Sequence, residues 1–551
     1  MKFQQILTDL VSKAAGQSAA VEPSGHFGDY TSNIALQSQE KGNPRLVAQG
    51  IVDKLLALKP EFIKEIDIAG PGFINFWIKD EFLVQNAKQV VANFHAQIPN
   101  LGKGKKAVIE FSSPNIAKPF TVGHLRSTII GNAVANLMEL AGFTVYRDNH
   151  LGDWGTQFGK LIVAIKRWGD ENEISASERP VKNLVELYVK FHEEAEKDPT
   201  LEDEAREWFT KLEKGNQEAR ELWQKCVDWS WIEFDSIYSQ LGVKFSENNG
   251  RGYGESYFED KMGPVIEELE NSGNLQVGKE GAKLFFFPDE EFTPLMILKK
   301  DGSTLYATRD LATDKFRLSH YGKDVLILNE VGAEQELYFK QIFKIEELLG
   351  WFKPGQRVHV KHGFFRFASG KMSTRKGNVI WLEDVISEAK KRADNQTEVA
   401  IGAIKWNDLK RSSHLDVVFD WDEMLSMTGN SGPYMQYTVV RARSVLAKAS
   451  VLPPMADPPR ADNSLVKEER EVLRQLLYYP EVIARATREY APHVLCTYLF
   501  ELAQTFNSFY NSCPILGDEE NSAKRIMLTH AVSKVLDQGL TVLGIQIPET
   551  M

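Results

Sequence analysis

The spacing of apolar residues predicts several elements before any side-chain chemistry is considered. In LVAQGIVDKLLAL, residues 46–58, apolar positions recur at helical intervals. EIDIAGPGFINFWI, residues 65–78, instead alternates, as two strands joined at Gly70-Pro71-Gly72 do. The glycine-bearing basic stretch NLGKGKK, residues 100–106, resets the pattern and leads into a buried-strand run at 107–111. SSPNIAKPFTVGH, residues 112–124, reads as a loop. LRSTIIGNAVANLMELAG, residues 125–142, reads as a helix with Leu125, Ile129, Ala133 and Leu137 on one face and Gly142 at its end. FTVYRDN, residues 143–149, is the next strand. Such a strand–loop–helix–strand opening belongs to doubly wound sheets, which bind nucleotides at the carboxyl ends of their strands.

Charged, tryptophan-rich helices such as DEAREWFTKLEKGNQEARELWQKCVDWSW interrupt this rhythm between about 160 and 290. Parallel strands are expected to return in LMILKKDGSTLYATRDLATDKF, residues 295–316, and in DVLILNEVGAEQELYFKQIFKIEELLG, residues 324–350. From 384 onward the pattern is helical, with one proline-rich break, VLPPMADPPRADN. The prediction is an α/β fold in three parts. An α+β domain spans 1–100, a Rossmann-type parallel-sheet domain with a helical insertion spans 101–383, and an all-α domain spans 384–551.

Composition narrows the class. A chain of 551 residues exceeds one core, and 43% apolar with 26% charged residues describes a globular protein. Asp9 and Lys13 break the first apolar run, which excludes a secretory signal, and no run of about 20 apolar residues follows. Cys226, Cys496 and Cys513 form no CxxC pair, so neither a structural metal nor a disulfide framework is expected, and a cytoplasmic setting fits. The net charge of −11 argues against a protein that coats nucleic acid, yet residues 351–380 hold seven Lys/Arg and no Asp or Glu. That run is a candidate polyanion site.

The common mononucleotide motifs are absent: there is no GxxxxGK[ST], no GxGxxG and no GxSxG. HEEAE, residues 192–196, lacks the second histidine of a zinc helix. Two segments remain. In NIAKPFTVGHLRSTIIG, residues 115–131, Gly123 permits close approach of a ligand to a helix start whose N–H groups and dipole favour phosphate. In GKMSTRKGN, residues 370–378, Lys371, Arg375 and Lys376 suit the charge that develops on a leaving pyrophosphate.

Together these segments resemble the paired signatures of class I aminoacyl-tRNA synthetases, read as Thr121-Val122-Gly123-His124 and Lys371-Met372-Ser373-Thr374-Arg375. The wider stretches EFSSPNIAKPF, GHLRSTIIGN, NHLGDWGTQFGK, LYATRDLATD, GNSGPYMQY and LGIQIPETM resemble the arginyl-tRNA synthetase family. GHFGDYTSNIALQ, residues 25–37, resembles that family's N-terminal tRNA-contacting domain.

The resemblance implies ATP-dependent activation of L-arginine and transfer to the terminal adenosine of tRNA-Arg, with Mg²⁺ arriving on ATP. It places arginine on Glu110, Ser113, Asn115, Tyr306, Asp310 and Gln335, and ATP on Thr121, Gly123, His124, Lys371 and Ser373. His124, Lys118, Lys371 and Lys376 carry the catalytic roles, and Phe73, Asn75, Tyr434, Tyr437, Arg441 and Met551 contact tRNA. A cytoplasmic monomer with no membrane or DNA partner is implied. Two positions depart from the family pattern: Thr121 replaces the first signature histidine and Thr374 the second signature lysine. Lys118 and Lys376 are candidates to supply the missing charges. The rival reading, a tRNA binder without catalysis, rests on Thr121 alone.

Overall fold

The computed structural model describes residues 3–25, 27–37, 43–58, 60–278, 280–367, 380–449, 465–518 and 520–551. Contacts divide the chain into two units, one of residues 1–101, 427–542 and 546–551, the other of residues 102–426 and 543–545.

The first unit joins both ends of the chain. Its antiparallel sheet runs in the order Glu22–Pro23, Tyr30–Ser32, Phe73–Ile78, Ile63–Ala69, the last two strands forming the hairpin predicted at the Gly-Pro-Gly turn. The helix Pro44–Leu58 matches the periodic segment. The long helices Gly432–Lys448, Lys467–Arg488, Pro492–Ser512 and Ser522–Val542 complete the unit. A buried polar joint explains why the two ends are not separate bodies. Asp29, fully buried, takes Arg470 at 2.8 Å, and Tyr478 donates its hydroxyl proton to the Asp29 carbonyl at 2.5 Å.

The second unit holds a four-stranded parallel sheet in the order Arg357–His362, Leu326–Gly332, Lys106–Glu110, Thr144–Asp148. Its register sets Glu110 between Asn329 and Asp148, so the polar residues of three strands meet at the carboxyl ends. The helix Val122–Leu140 crosses back over the sheet and is buried along most of its length. Its approach depends on Gly131, where an added Cβ would lie 2.2 Å from the Phe111 Cβ. Gly131→Ala is therefore expected to cost about 1–3 kcal/mol or more through overpacking, read as a fall in the urea midpoint at unchanged slope.

Two expectations need correction. The run LMIL is a strand, Leu295–Leu298, but it pairs antiparallel in a separate three-stranded sheet with Lys283–Phe285 and Leu275–Val277. A four-residue apolar run has no feature that distinguishes the two pairings. Residue 384 is not the edge of a helical domain either. The helices Leu382–Arg392 and Thr397–Leu409 belong to the sheet unit, and the strand Val417–Phe419 pairs parallel with Phe365–Phe367. The fully buried Arg126 binds this segment to the sheet helix through Asp408 at 3.0 Å and the carbonyls of Leu415 and Ser413 at 2.8 and 3.0 Å. Helical periodicity reports a buried face without naming its partner.

Candidate active site at the carboxyl ends of the parallel strands

The loop after the first strand is tightly wound. Ser112, Ser113 and Ala117 have φ of +74°, +44° and +56°, a region costly for residues with a side chain and one that concentrates at functional sites. Neighbouring elements hold it there. Ser112 donates its N–H to Ser127 Oγ and shares its hydroxyl with Thr128 and Tyr238, both at 2.8 Å. Ser113 N–H donates to Asn149 Oδ1 at 3.0 Å, and Asn115 bridges Gly152 in parallel register. The Ser113 hydroxyl is buried with no hydrogen-bond partner among the described residues. A buried, unsatisfied hydroxyl at a strand end suits a ligand contact.

Thr121 is the extended N-cap residue of the helix Val122–Leu140. Its N–H donates to His124 Nδ1 at 3.0 Å and its hydroxyl lies 3.1 Å from the same nitrogen. With Nδ1 accepting, the ring proton sits on Nε2 as a donor. Burial pushes the imidazole down to about 4, helped by the His362 and Lys118 charges, so His124 is neutral at pH 7. Gly123 and Lys118 are exposed.

The chain that follows the second signature returns to this turn. Leu382 N–H donates to the Phe120 carbonyl at 2.9 Å, Val122 N–H donates to the Ile380 carbonyl at 3.3 Å, and Thr121 bridges Trp381. Arg179 lies over Trp381 at 4.8 Å and pairs with Glu383 at 3.0 Å, which reinforces the anchor. Lys371, Ser373 and Lys376 themselves lie outside the described residues.

Beneath the loop, Arg317 Nη2 bonds Glu110 at 2.5 Å and Asp148 at 2.8 Å, while Nη1 reaches Asp314 at 3.2 Å. Arg357 takes Asp314 from the other side in bidentate fashion, 2.6 Å on each arm. Burial raises the Glu110 carboxyl; the charge and hydrogen bond of Arg317 together with the His150 charge outweigh it and hold Glu110 below the ordinary range. Glu110 is thus committed to an internal guanidinium, its side chain 9% exposed.

Asp310, on the helix Tyr306–Tyr321, differs. Its side chain is 29% exposed, and burial pushes its carboxyl up to about 6 against the pull of the His150 charge and the Tyr338 hydroxyl. Tyr338 donates to Asp310 Oδ2, and Tyr306, exposed at the helix start, packs its ring 4.9 Å from that of Tyr338. Gln335 ends the short turn Ala333–Gln335 after the next strand and is exposed. Of these carboxylates, Asp310 is the one without a guanidinium partner among the described residues.

Outside the sheet unit the predicted residues fare unequally. Phe73 is 38% exposed at the start of its strand. Asn75, expected beside it as an amide for reading a base, is only 1% exposed, and its Oδ1 accepts the Thr31 hydroxyl proton. Residues two apart share a strand face, and on that face Asn75 is covered while Phe73, at the end of the strand, is not. Tyr434, Tyr437 and Arg441 share a helix face: Arg441 lies over the Tyr437 ring at 4.8 Å, and Asn507 links Arg441 to the Tyr434 hydroxyl. Met551 is half-buried at the end of the chain.

The basic run at 351–380 is compensated in space where it is described. Lys353, Arg357, Lys361 and Arg366 pair with Asp324, Asp314, Glu336 and Asp416 respectively, each on another element. Sequence reasoning missed Tyr338, His150, Arg317 and Arg357. His150 lay in the quoted stretch NHLGDWGTQFGK, and Asp314–Arg317 carried an (i, i+3) charge pattern; Tyr338 had no local signal. No helix of the described residues is long and apolar enough to cross a membrane.

Comparison with known proteins fits this geometry. The profile described as "tRNA synthetases class I (R), catalytic domain" matches residues 86–421, "DALR anticodon binding domain" matches 435–551, and "Arginyl tRNA synthetase N terminal domain" matches 1–78. The "Arginine--tRNA ligase" of Halothermothrix orenii is 38% identical over 580 aligned residues, covering 100% of both chains. In fold, the arginyl-tRNA synthetase of Plasmodium falciparum gives a TM-score of 0.84 at 22% identity, covering 100% of this chain and 99% of the other. That of Thermus thermophilus gives 0.82 at 23% identity with both chains covered in full. With the catalytic profile running through the parallel sheet and a relative matched from end to end, the chain belongs to the arginine–tRNA ligase family of class I tRNA synthetases.

Proposed function

We propose that this chain activates L-arginine with ATP and transfers it to the terminal adenosine of tRNA-Arg. The reading is supported by Asp310, a carboxylate with no guanidinium partner among the described residues, and by the tightly wound loop 112–124 that leads to the start of the helix Val122–Leu140. Asp310, flanked by Tyr306 and Gln335, receives the substrate guanidinium, and the orphaned Ser113 hydroxyl and Asn115 hold the amino acid by its polar groups. A site built on such pairing rejects a ligand that leaves its buried groups unpaired. Glu110 supports this pocket through Arg317 rather than lining it alone.

In the first step the arginine carboxylate attacks the α-phosphate in line, the bond to the β,γ-pyrophosphate breaks, and the pyrophosphate leaves. The protein needs no nucleophile; it positions the groups and balances charge. His124 donates from Nε2 toward phosphate or ribose, Thr121 holds the imidazole in that tautomer, and Gly123 lets the nucleotide approach the helix start. Lys371, Ser373 and Lys376 are assigned to the pyrophosphate. Mg²⁺ would come bound to ATP and supply charge neutralisation there. In the second step the 2′-hydroxyl of the terminal adenosine attacks the arginyl carbonyl, the acyl–phosphate bond breaks and AMP leaves. The tRNA is held by Phe73 and by the Tyr434, Tyr437, Arg441 and Met551 region.

Arginine-dependent ATP–pyrophosphate exchange, with and without tRNA, tests the reading. Absence of exchange in both favours a binder that has lost its chemistry. Lys118, exposed and close enough for its charge to act on His124, supplies the cation that Thr121 lacks. Lys118→Ala is expected to slow exchange roughly 10²-fold, the range for loss of one preorganised donor. Unchanged exchange in this variant would rule Lys118 out.

A further inference from the structure

Within the proposed arginine site, His150 is a cation in waiting. Its Nδ1 lies 3.0 Å from the Tyr253 carbonyl, which can only accept, so Nδ1 keeps its proton in either charge state. The exchangeable proton is therefore on Nε2. That nitrogen is buried, has no hydrogen-bond partner among the described residues, and stands 3.8 Å from Asp310 Oδ1. A bare lone pair on Nε2 facing the Asp310 carboxylate would be repulsive, so the ionised Asp310 requires the imidazolium.

The surroundings favour the same state. Burial lowers the affinity of His150 for a proton, but Glu110 and Asp310 together outweigh it, and the net shift is upward. From the helix Tyr306–Tyr321, Arg317 opposes these carboxylates. Glu255, on the turn Glu255–Lys261, adds to them, although Arg309 already pairs with it at 3.4 Å. Asp153 is a further carboxylate that His150 acts on, and the Phe258 ring packs 5.7 Å away without charge.

We propose that His150 is the counter-cation of the empty arginine site, and that arginine binds by exchanging its guanidinium for the Nε2 proton of His150. The reading rests on the proposed function above. The guanidinium is permanently charged, so once it reaches Asp310 two cations share one carboxylate site. His150 is the group able to discharge: its proton leaves to solvent, the imidazole becomes neutral, and the net charge of the site is conserved. Citrulline, which has the shape without the charge, cannot replace that proton. His150 thus acts as a positioning residue through Asp310, and it makes affinity for arginine rise with pH until the empty-site histidine is itself neutral.

Carbon-13 labelling of histidine Cε1 reads this directly in the full-length protein, the His150 signal being the one absent from His150→Gln. At pH 6.5 that signal is expected at the imidazolium position without arginine and at the imidazole position with saturating arginine; citrulline leaves it unmoved. A second measurement covers failure of the variant to fold: arginine calorimetry on the wild type in two buffers of different ionisation enthalpy. Because Glu110 and Asp310 raise the proton affinity of the histidine, net proton release on binding arginine is expected at pH 6.5. A signal that stays imidazolium with arginine bound, or heats that do not depend on buffer, overturns the exchange while leaving the parent reading intact. Absence of any arginine binding overturns both.

Discussion

Asp310→Asn is expected to abolish useful arginine activation while leaving the protein as stable as the wild type or more so. The lost carboxylate is the charged acceptor of a buried guanidinium, and breaking such a pair from one side costs on the order of 3–5 kcal/mol, or about 10²–10⁴ in kcat/KM for arginine. Stability moves the other way. The Asp310 carboxyl is raised from 3.8 to about 6 by burial, so the folded protein takes up a proton there at a pH where the unfolded chain does not. The ionised group is a cost to folding above pH 6, relieved as pH falls toward 4, and an amide removes that cost. Tyr338 keeps an acceptor in the variant. Exchange kinetics and thermal unfolding side by side check the pair of outcomes; a loss of activity accompanied by a fall in Tm would mean that Asp310 is structural.

Arg317→Met should have the opposite profile, with a marked loss of stability. Glu110, Asp148 and Asp314 all face this one guanidinium, and Arg357 compensates only Asp314. Removing it strands buried carboxylates at about 3–5 kcal/mol, a fall in Tm on the order of 10 °C. The pH dependence identifies the cause. Without the cation, burial raises the folded-state pKa of Glu110 above its unfolded value, so the penalty is present at neutral pH and relaxes as pH falls. Urea titrations at pH 7.5 and pH 5 should show the variant recovering part of its deficit at pH 5. An equal deficit at both would point to lost packing.

The difference between Asp310 and Glu110 shows where sequence reasoning stops. Tyr306 and Asp310, four apart, were legible as one helix face, and the apolar run at 107–111 was legible as the strand that carries Glu110. The partner of Glu110 was not, because Arg317 reads in one dimension as a solvated basic residue. Arg126 and Arg357 misread in the same way: each is an arginine sealed in the interior by carboxylates far away in sequence. The run at 351–380 looked uncompensated because Asp324, Asp314, Glu336 and Asp416 lie outside that window. Local pattern reports what a residue can do. Whether it is free to do so depends on contacts across the fold, and Asn75, a polar residue on the inner side of its strand, makes the same point.

The Asp29–Arg470 joint bears on synthesis as well as on stability. Its partners are separated by 441 residues, whereas the parallel sheet closes over much shorter loops of chain. At about 5–20 residues per second, Arg470 leaves the ribosome roughly 20–90 s after Asp29. Through that interval the N-terminal sheet and its helices exist without the C-terminal helices that cover Asp29, and Tyr30 and Ser24 wait for Glu481, Arg474 and Tyr478. The sheet unit is meanwhile translated almost whole. The nascent chain thus carries an unfinished amino-terminal surface for most of its elongation, and chaperone occupancy on stalled chains should concentrate on residues 1–101 until the helix Lys467–Arg488 has emerged.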